Sequence, residues 1–311
     1  MVLFSYPEYE NIAQQLRTIG SVQVGRFNVG RYADQELHAS IEASVSGEDC
    51  VIVGTIAPPD ERLLSVLLLA ETLKKEGADK ITALLPYLAY SRQDKDKSGE
   101  SLGTAWVGAL LKSSGIDQVL TVDVHSERDK QLFPIPLISL STDSLFADVI
   151  QRHNLQDATI VAPDNGAIGR CEAVKRAAGM PSGATPYFEK KRTDQGIIHR
   201  GPVGAVGPKV VIIDDMIDTG GTLVSACEKL RATGAQEIYI LVTHGLFTGT
   251  SWMHVWSLGV KQIFCTDTVP LPPGIEVGKI LVVSIAPMIR QALNNYQGSL
   301  SVSVQREMSP S

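Results

Sequence analysis

Residues 210–222 read Val-Val-Ile-Ile-Asp-Asp-Met-Ile-Asp-Thr-Gly-Gly-Thr, and this stretch decides the fold class. The first four residues are all apolar and all β-branched, which predicts a short strand, 210–213, buried on both faces as in a parallel sheet. Two aspartates and a glycine-containing turn follow, and one-face apolar spacing then predicts a helix over 222–233. A buried strand, a polar turn and an amphipathic helix in succession predict an α/β fold.

The same alternation of strands and helices runs through the rest of the chain. Predicted strands are 50–53, 81–85, 119–122, 159–162, 186–188 and 238–242, and predicted helices are 61–76, 103–113 and 168–178. This order predicts two consecutive α/β units, each a largely parallel sheet flanked by helices. We place an N-terminal domain at 1–145 and a C-terminal domain at 146–311, with the option that the C-terminal tail packs back on the first domain.

Composition narrows the function classes. Of the 311 residues, 44% are hydrophobic and 20% are charged, which is typical of a globular protein, and the net charge of -6 argues against a nucleic-acid partner. No apolar run is long enough to span a bilayer and the N-terminus lacks a secretory pattern, so we expect a cytoplasmic protein without a membrane partner. The four cysteines are far apart, which favours reduced, buried thiols over zinc or disulfides.

The turn after residue 213 has the chemistry of a sugar-phosphate site. Glycines allow a ligand to approach the backbone closely, and the N–H groups at a helix start favour an anion. Asp214 and Asp215 are acceptors only, so they suit vicinal sugar hydroxyls and not the phosphate itself. A strand end with an ordinary turn is the alternative interpretation. The candidate ribose 5-phosphate site comprises Asp214, Asp215, Asp218, Thr219, Gly220, Gly221 and Thr222.

This turn resembles the motif of phosphoribosyltransferase-fold proteins. Residues 86–95, Pro-Tyr-Leu-Ala-Tyr-Ser-Arg-Gln-Asp-Lys, resemble the signature of the phosphoribosyl-pyrophosphate synthases, also called ribose-phosphate pyrophosphokinases. The likeness extends over about residues 25–304. It implies two phosphoribosyltransferase-like domains, and transfer of the diphosphoryl group of ATP to the C1 hydroxyl of ribose 5-phosphate, giving phosphoribosyl pyrophosphate and AMP. It also implies Mg2+ as cofactor.

The resemblance assigns the ATP site to the first domain. The implied ATP-binding residues are Tyr32, Asp34, Glu36, Arg92, Gln93 and Asp94. Tyr32 suits stacking on adenine, and the Arg92 guanidinium offers a planar fork for phosphate oxygens. Gln35 replaces the family's usual glycine, from which we expect a different loop shape.

The resemblance also implies the metal and catalytic residues. His125 matches a family histidine near the nucleotide-bound magnesium and is assigned to both the metal and the catalytic groups, and Asp164 is the oxygen ligand. Lys190 is the catalytic lysine with Arg192 as its partner, and Lys191 is the fallback because the register is ambiguous by one residue. Residues 189–207 would form a flap over the site. The family's pattern is broken at 126–128, Ser-Glu-Arg, which weakens any claim of a second metal site there.

Two other functions stay open at this point. A phosphoribosyltransferase would share the sugar-phosphate turn but would leave residues 92–94 without a role. A catalytically silent regulatory relative would more naturally have lost Lys190, His125 or the turn. The resemblance further implies a homo-oligomer with ATP sites near subunit interfaces.

Overall fold

The computed structural model describes residues 1–20, 22–193, 196–275 and 278–294, with only the backbone over 190–193 and 196–199. The chain forms two compact units. Unit 1 is Met1–Leu140 together with the segment that begins at Ser284, and unit 2 is Ser141–Val283. The division into an N-terminal domain, 1–145, and a C-terminal domain, 146–311, stays a prediction.

In its described residues, unit 1 contains a six-stranded parallel sheet in the order β2-β1-β5-β6-β7-β8. These strands are β1 Val2–Ser5, β2 Gln23–Val24, β5 Asp49–Val53, β6 Lys80–Leu84, β7 Gln118–Val122 and β8 Leu137–Leu140. An antiparallel hairpin is formed by β3 Phe27–Arg31 and β4 Leu37–Ile41. The helices are α1 Glu10–Leu16, α2 Glu61–Lys75, α3 Gly103–Ser113 and α4 Glu127–Leu132, and residues 286–294 are also helical.

In unit 2 the described strands form a five-stranded parallel sheet in the order β15-β14-β13-β12-β9. They are β9 Thr159–Val161, β12 Lys209–Ile217, β13 Glu237–Gly245, β14 Val260–Thr266 and β15 Ile280–Val283. A separate antiparallel hairpin is formed by β10 Tyr187–Thr193 and β11 Gly196–Val203. The helices are α5 Asp143–Arg152, α6 Ile168–Ala177 and α7 Gly221–Ala232.

The unit 2 sheet is covered on both faces, which explains the continuous apolar run in β12. Val210 and Ile212 pack on the face that carries α7, and Val211 and Ile213 pack on the face that carries α5 and α6. All four side chains are fully buried. Burial on both faces removes the apolar–polar alternation of a half-exposed strand. The predicted parallel α/β architecture is confirmed.

Three strands run three or more residues beyond their predicted bounds, and one of them is β13, predicted at 238–242 and observed over Glu237–Gly245. The strand predicted at 210–213 continues to Ile217, so that Asp214 and Asp215 lie inside β12 and do not follow it. The backbone stays paired because β13 runs alongside, with Asp214 opposite Val242 and Ile217 opposite Gly245. The strand predicted at 186–188 likewise continues as β10 and pairs with β11 across the predicted flap.

The cysteine expectation agrees with the structure, since Cys50, Cys171, Cys227 and Cys265 are all free and buried. Among the described residues, no helix combines the length and apolarity that crossing a bilayer requires.

Candidate active site

The turn between β12 and α7 is built around Gly220. Its φ is 84°, in the left-handed region that favours glycine. A Cβ built on Gly220 would lie 2.5 Å from both the Cα and the Cβ of Trp252, whose side chain is buried. The protein's own packing therefore requires glycine at this position. The sequence analysis did not identify Trp252, because nothing local to the turn indicates that residue 252 returns to it.

Gly221 is a different case. It is the first residue of α7, it is exposed, and a Cβ built on it would meet no protein atom within 4 Å. Thr219 is also exposed, so this side of the turn opens to solvent. The first N–H groups of a helix attract anions, and an open glycine lets an anion approach them. The protein gives no steric reason for glycine at 221, whereas a bound ligand would.

The chain that follows β13 fixes the turn in place. The N–H groups of Leu246 and Phe247 donate to the carbonyl oxygen of Ile217 at 2.8 and 3.1 Å, and the N–H of Thr248 donates to that of Asp218 at 3.1 Å. The Phe247 ring lies 4.8 Å from the Trp252 ring, centroid to centroid. Backbone hydrogen bonds therefore hold the turn in place, and the paired rings of Phe247 and Trp252 pack beside it.

Two aspartates of β12 form the acidic part of the site. Asp215 is buried, Asp214 is half-buried, and the N–H of Asp215 donates to Oδ1 of Asp214 at 2.9 Å. Burial, and then the adjacent Asp215 carboxylate, raise the pKa of Asp214 well above its usual value. Arg170 lowers that pKa and Asp164 raises it, so both residues lie in the same electrostatic environment.

Asp164 follows β9, the strand paired with β12. Its Oδ1 accepts hydrogen bonds from the N–H groups of Gly166 at 2.9 Å and Ala167 at 3.2 Å. Parallel strands end at the same edge of a sheet, which brings Asp164 towards Asp214 and Asp215. Unit 2 therefore combines three predicted residues, Asp164, Asp214 and Asp215, and the structure adds Arg170 to them.

The hairpin of unit 1 carries the predicted adenine loop. Tyr32 is 59% exposed and its ring centroid lies 4.6 Å from that of His38. The N–H of Glu36 donates to Oδ1 of Asp34 at 3.1 Å. Gln35 has a φ of 74°, which is the conformation glycine favours. Replacing the family's glycine by Gln35 therefore does not by itself require a different backbone conformation. Gln35 adopts the glycine-type conformation at a cost of about 1 kcal/mol.

The predicted ATP-binding residues 92–94 follow β6 and differ in exposure. Arg92 and Gln93 are exposed, whereas Asp94 is only 6% exposed. The Ser126 hydroxyl donates to Oδ2 of Asp94 at 2.8 Å. Asp94 stays a predicted ATP-binding residue, but its carboxylate is directed into unit 1.

Exposed His125 lies just after β7, and Ser126 then begins α4. The N–H of Ser126 donates to Oδ2 of Asp129 at 3.0 Å, forming a capping box. Asp129 is fully buried, and burial, then the Asp94 carboxylate, raise its pKa to about 6. The sequence analysis treated 126–128 only as a departure, although the Ser-x-x-Asp spacing indicates a capping box.

Comparisons with known proteins agree with this geometry. Residues 1–115 match the family described as the N-terminal domain of ribose phosphate pyrophosphokinase, and residues 173–304 match the phosphoribosyl synthetase-associated domain. The ribose-phosphate pyrophosphokinase of Bacillus caldolyticus is 30% identical over 306 residues, covering 97% of this chain and 96% of that protein. This chain belongs to the ribose-phosphate pyrophosphokinase family.

Further similarities support the membership. The Haemophilus ducreyi ribose-phosphate pyrophosphokinase is 31% identical over 310 residues, with 97% of each chain covered. The crystal structure of phosphoribosylpyrophosphate synthetase from Mycobacterium smegmatis matches with a TM-score of 0.84 at 27% identity, covering 96% of this chain and 99% of that one. The predicted family, fold class and assignment as an enzyme are confirmed. The individual site residues stay predictions, because these matches do not test single side chains.

The backbone of the predicted catalytic segment lies in β10, where Lys190 pairs with His199 and Arg192 pairs with Ile197. The side chains of Lys190, Lys191 and Arg192 lie outside the described part of the structure. Their roles, and the choice between Lys190 and Lys191, stay predictions.

The two glycines of the turn make a matched pair for testing it. We expect Gly220→Ala to lower the free energy of unfolding by about 2–4 kcal/mol, because φ is left-handed and the new Cβ overlaps the Trp252 backbone. Gly221→Ala should stay within about 1 kcal/mol of wild type, yet weaken ribose 5-phosphate binding about 10-fold by obstructing the helix start. Urea unfolding and calorimetric titration measure the two effects. Equal destabilisation by both variants would contradict this account.

The raised pKa of Asp129 predicts that the free energy of unfolding depends on pH. Because folding raises its pKa from 3.8 to about 6, the native state binds the proton more tightly and loses stability as pH rises between these values. Asp129→Asn removes this titration and keeps an acceptor for the Ser126 N–H. Its free energy of unfolding, relative to wild type, should therefore rise by on the order of 2 kcal/mol from about pH 4 to pH 6 and then level off. A difference that does not change with pH would contradict the raised pKa.

Proposed function

We propose that this protein is a ribose-phosphate diphosphokinase, which transfers the diphosphoryl group of ATP to the C1 hydroxyl of ribose 5-phosphate and yields phosphoribosyl pyrophosphate and AMP. The observation that carries the proposal is the open helix start at Gly221 beside the paired carboxylates of β12. Membership of the ribose-phosphate pyrophosphokinase family, over nearly the whole chain, supports the same reaction.

Ribose 5-phosphate fits the chemistry of unit 2. The 5-phosphate would bind at the start of α7, where Thr219 and Thr222 add hydroxyl donors to the backbone N–H groups. Asp214 and Asp215 would accept hydrogen bonds from the vicinal ribose hydroxyls. Arg170, which lowers the pKa of Asp214, supplies positive charge that offsets part of the repulsion between the acids and the approaching phosphate.

ATP fits the exposed groups of unit 1. Tyr32 offers an exposed ring for the purine, and Asp34 and Glu36 offer acceptors for its amino group. Arg92 and Gln93 are exposed and suit the phosphates. This use of residues 92–94 distinguishes the proposal from a simple phosphoribosyltransferase, which needs no triphosphate site.

The carboxylates fit Mg2+ brought in by a nucleotide. Magnesium prefers hard oxygen ligands and is usually held by one or two carboxylates together with substrate phosphates. Asp164, in the same electrostatic environment as Asp214, is the residue that would hold it, and His125 would act through water or phosphate. The ion would supply positive charge that offsets the triphosphate.

The reaction is an in-line displacement at phosphorus. The C1 hydroxyl oxygen forms a bond to the β-phosphorus, the bond from that phosphorus to the bridging α–β oxygen breaks, and AMP leaves with that oxygen while the hydroxyl proton passes to solvent. Such transfers depend mainly on positioning and on neutralising charge. Lys190 and Arg192 would supply cations to the transferring group, and residues 189–207 would exclude water by closing over it.

The remaining proposals concern the setting of the enzyme. We expect a cytoplasmic homo-oligomer with ATP sites near subunit interfaces and no nucleic-acid partner. The domain assignment follows the same logic, with ATP-binding loops in residues 1–145 and the ribose 5-phosphate turn and flap in 146–311.

The reaction is tested directly by phosphorus NMR. Protein, Mg2+, ATP and ribose 5-phosphate should give AMP and a sugar 1-diphosphate in equal amounts, because each transfer makes one of each. Omitting ribose 5-phosphate is the control and should give neither product. No turnover by folded protein that binds both substrates would favour the silent relative, and sugar diphosphate consumption that requires a nucleobase would favour a phosphoribosyltransferase.

The predicted role of Lys190 is tested by comparing its effect on kcat with its effect on ribose 5-phosphate affinity. Lys190→Ala should lower kcat by roughly 100- to 1,000-fold, because it removes a cation from the transferring group, while ribose 5-phosphate affinity stays within about 3-fold. Lys229, an exposed lysine of α7, provides the matched control, and Lys229→Ala should keep wild-type turnover. Lys191→Ala tests the fallback register. Wild-type kcat in Lys190→Ala would refute its catalytic role.

A further inference from the structure

Unit 1 holds a polar cluster of Asp94, Thr104, Ser126 and Asp129. Asp129 and Thr104 are fully buried and Asp94 is 6% exposed. Charged side chains are seldom buried this completely unless they are hydrogen-bonded, because leaving water is costly for an ionised group. Two carboxylates in one buried cluster increase that cost, since they also repel each other.

Ser126 connects the two carboxylates. Its hydroxyl donates to Oδ2 of Asp94 at 2.8 Å, and its N–H donates to Oδ2 of Asp129 at 3.0 Å. Thr104 joins the cluster from α3, with its Oγ1 at 3.4 Å from Oδ1 of Asp129 and 3.2 Å from the carbonyl oxygen of Tyr90. The cluster therefore fixes the loop after β6, the start of α3 and the start of α4 relative to one another.

The exposed neighbours of this cluster are residues predicted to bind ATP or the magnesium that accompanies it. Arg92 and Gln93 precede Asp94, and His125 precedes Ser126, and all three are exposed. The Ser126–Asp94 hydrogen bond is thus a direct link between the loop that carries the guanidinium and the strand end that carries the imidazole. A charge-assisted hydrogen bond of this kind is stronger and more directional than a neutral one.

We propose that Ser126 and Asp129 are positioning residues for ATP, which hold Arg92, Gln93 and His125 in one fixed arrangement before the nucleotide binds. This inference rests on the nucleotide side of the proposed function. Asp129 orients the Ser126 backbone through the capping box, and the Ser126 hydroxyl then holds Asp94. Preorganised groups bind a polyanion more tightly because they lose less freedom on binding. Ser126 lies in the segment 126–128, where the chain departs from the family's pattern.

The test compares MgATP affinity among variants by calorimetric titration. Ser126→Ala removes the hydroxyl and should weaken MgATP binding about 10-fold. Ser126→Thr keeps a hydroxyl and should restore affinity to within about 3-fold of wild type. Asp129→Asn keeps an acceptor for the Ser126 N–H and should also bind normally, whereas Asp129→Leu should weaken MgATP binding as Ser126→Ala does.

The matched control is Ser113→Ala. It removes a hydroxyl from another helix end of unit 1, where Ser113 donates to the carbonyl oxygen of Leu110 at 2.8 Å, and it should leave MgATP affinity unchanged. Steady-state kinetics add a second measurement, in which Ser126→Ala should raise the KM for ATP about 10-fold and change the KM for ribose 5-phosphate by less than about 2-fold.

The outcomes separate this inference from the proposed function. Unchanged MgATP affinity in Ser126→Ala, equal weakening of both substrates, or failure of Ser126→Thr to restore binding would overturn it. Wild-type protein that binds MgATP but makes no sugar diphosphate would overturn the proposed reaction. The positioning role would then still be decided by the MgATP affinities of the variants relative to wild type. Wild-type protein that does not bind MgATP would overturn both.

Discussion

The approach of Gly220 to the backbone of Trp252 is the constraint on which the turn between β12 and α7 depends. A left-handed φ and a 2.5 Å distance from a hypothetical Cβ to Trp252 leave room for glycine alone. This contact sets where β12 ends and where α7 begins. Because the segment after β13 donates hydrogen bonds to the same turn, the position of the helix start is determined by two strands and not by one. The helix start that is proposed to bind an anion is therefore held in place by the protein's own contacts.

Both units concentrate carboxylates near the carboxyl ends of parallel strands. In unit 2, Asp214 and Asp215 are offset by the nearby Arg170, and in unit 1, Asp94 is hydrogen-bonded by Ser126. Buried acids lower stability unless hydrogen bonds or cations offset the loss of hydration. These buried acids lie at the edge where α/β proteins bind ligands. Their position is consistent with a site that binds a ligand at some cost in the free energy of unfolding.

The departures from the family pattern show how a chain about 30% identical to its relatives accommodates change. Gln35 adopts the left-handed backbone conformation that glycine favours. Replacing glycine therefore adds backbone strain but does not require a different loop shape. Ser126 gains a capping role and a hydrogen bond to a motif residue.

The sequence by itself determined the elements whose signals are local. Apolar runs and helical periodicity predicted β5, β6, β7, α2, α3, α6 and α7 to within a residue or two. The Asp-Thr-Gly-Gly-Thr turn predicted a sugar-phosphate site, which stays a prediction. Tertiary structure alone decided that β12 continues through two aspartates, that β10 pairs with β11, that Asp94 is buried, and that Trp252 lies against Gly220. The reason is physical: strand pairing and burial depend on partners distant in sequence, which no local pattern records.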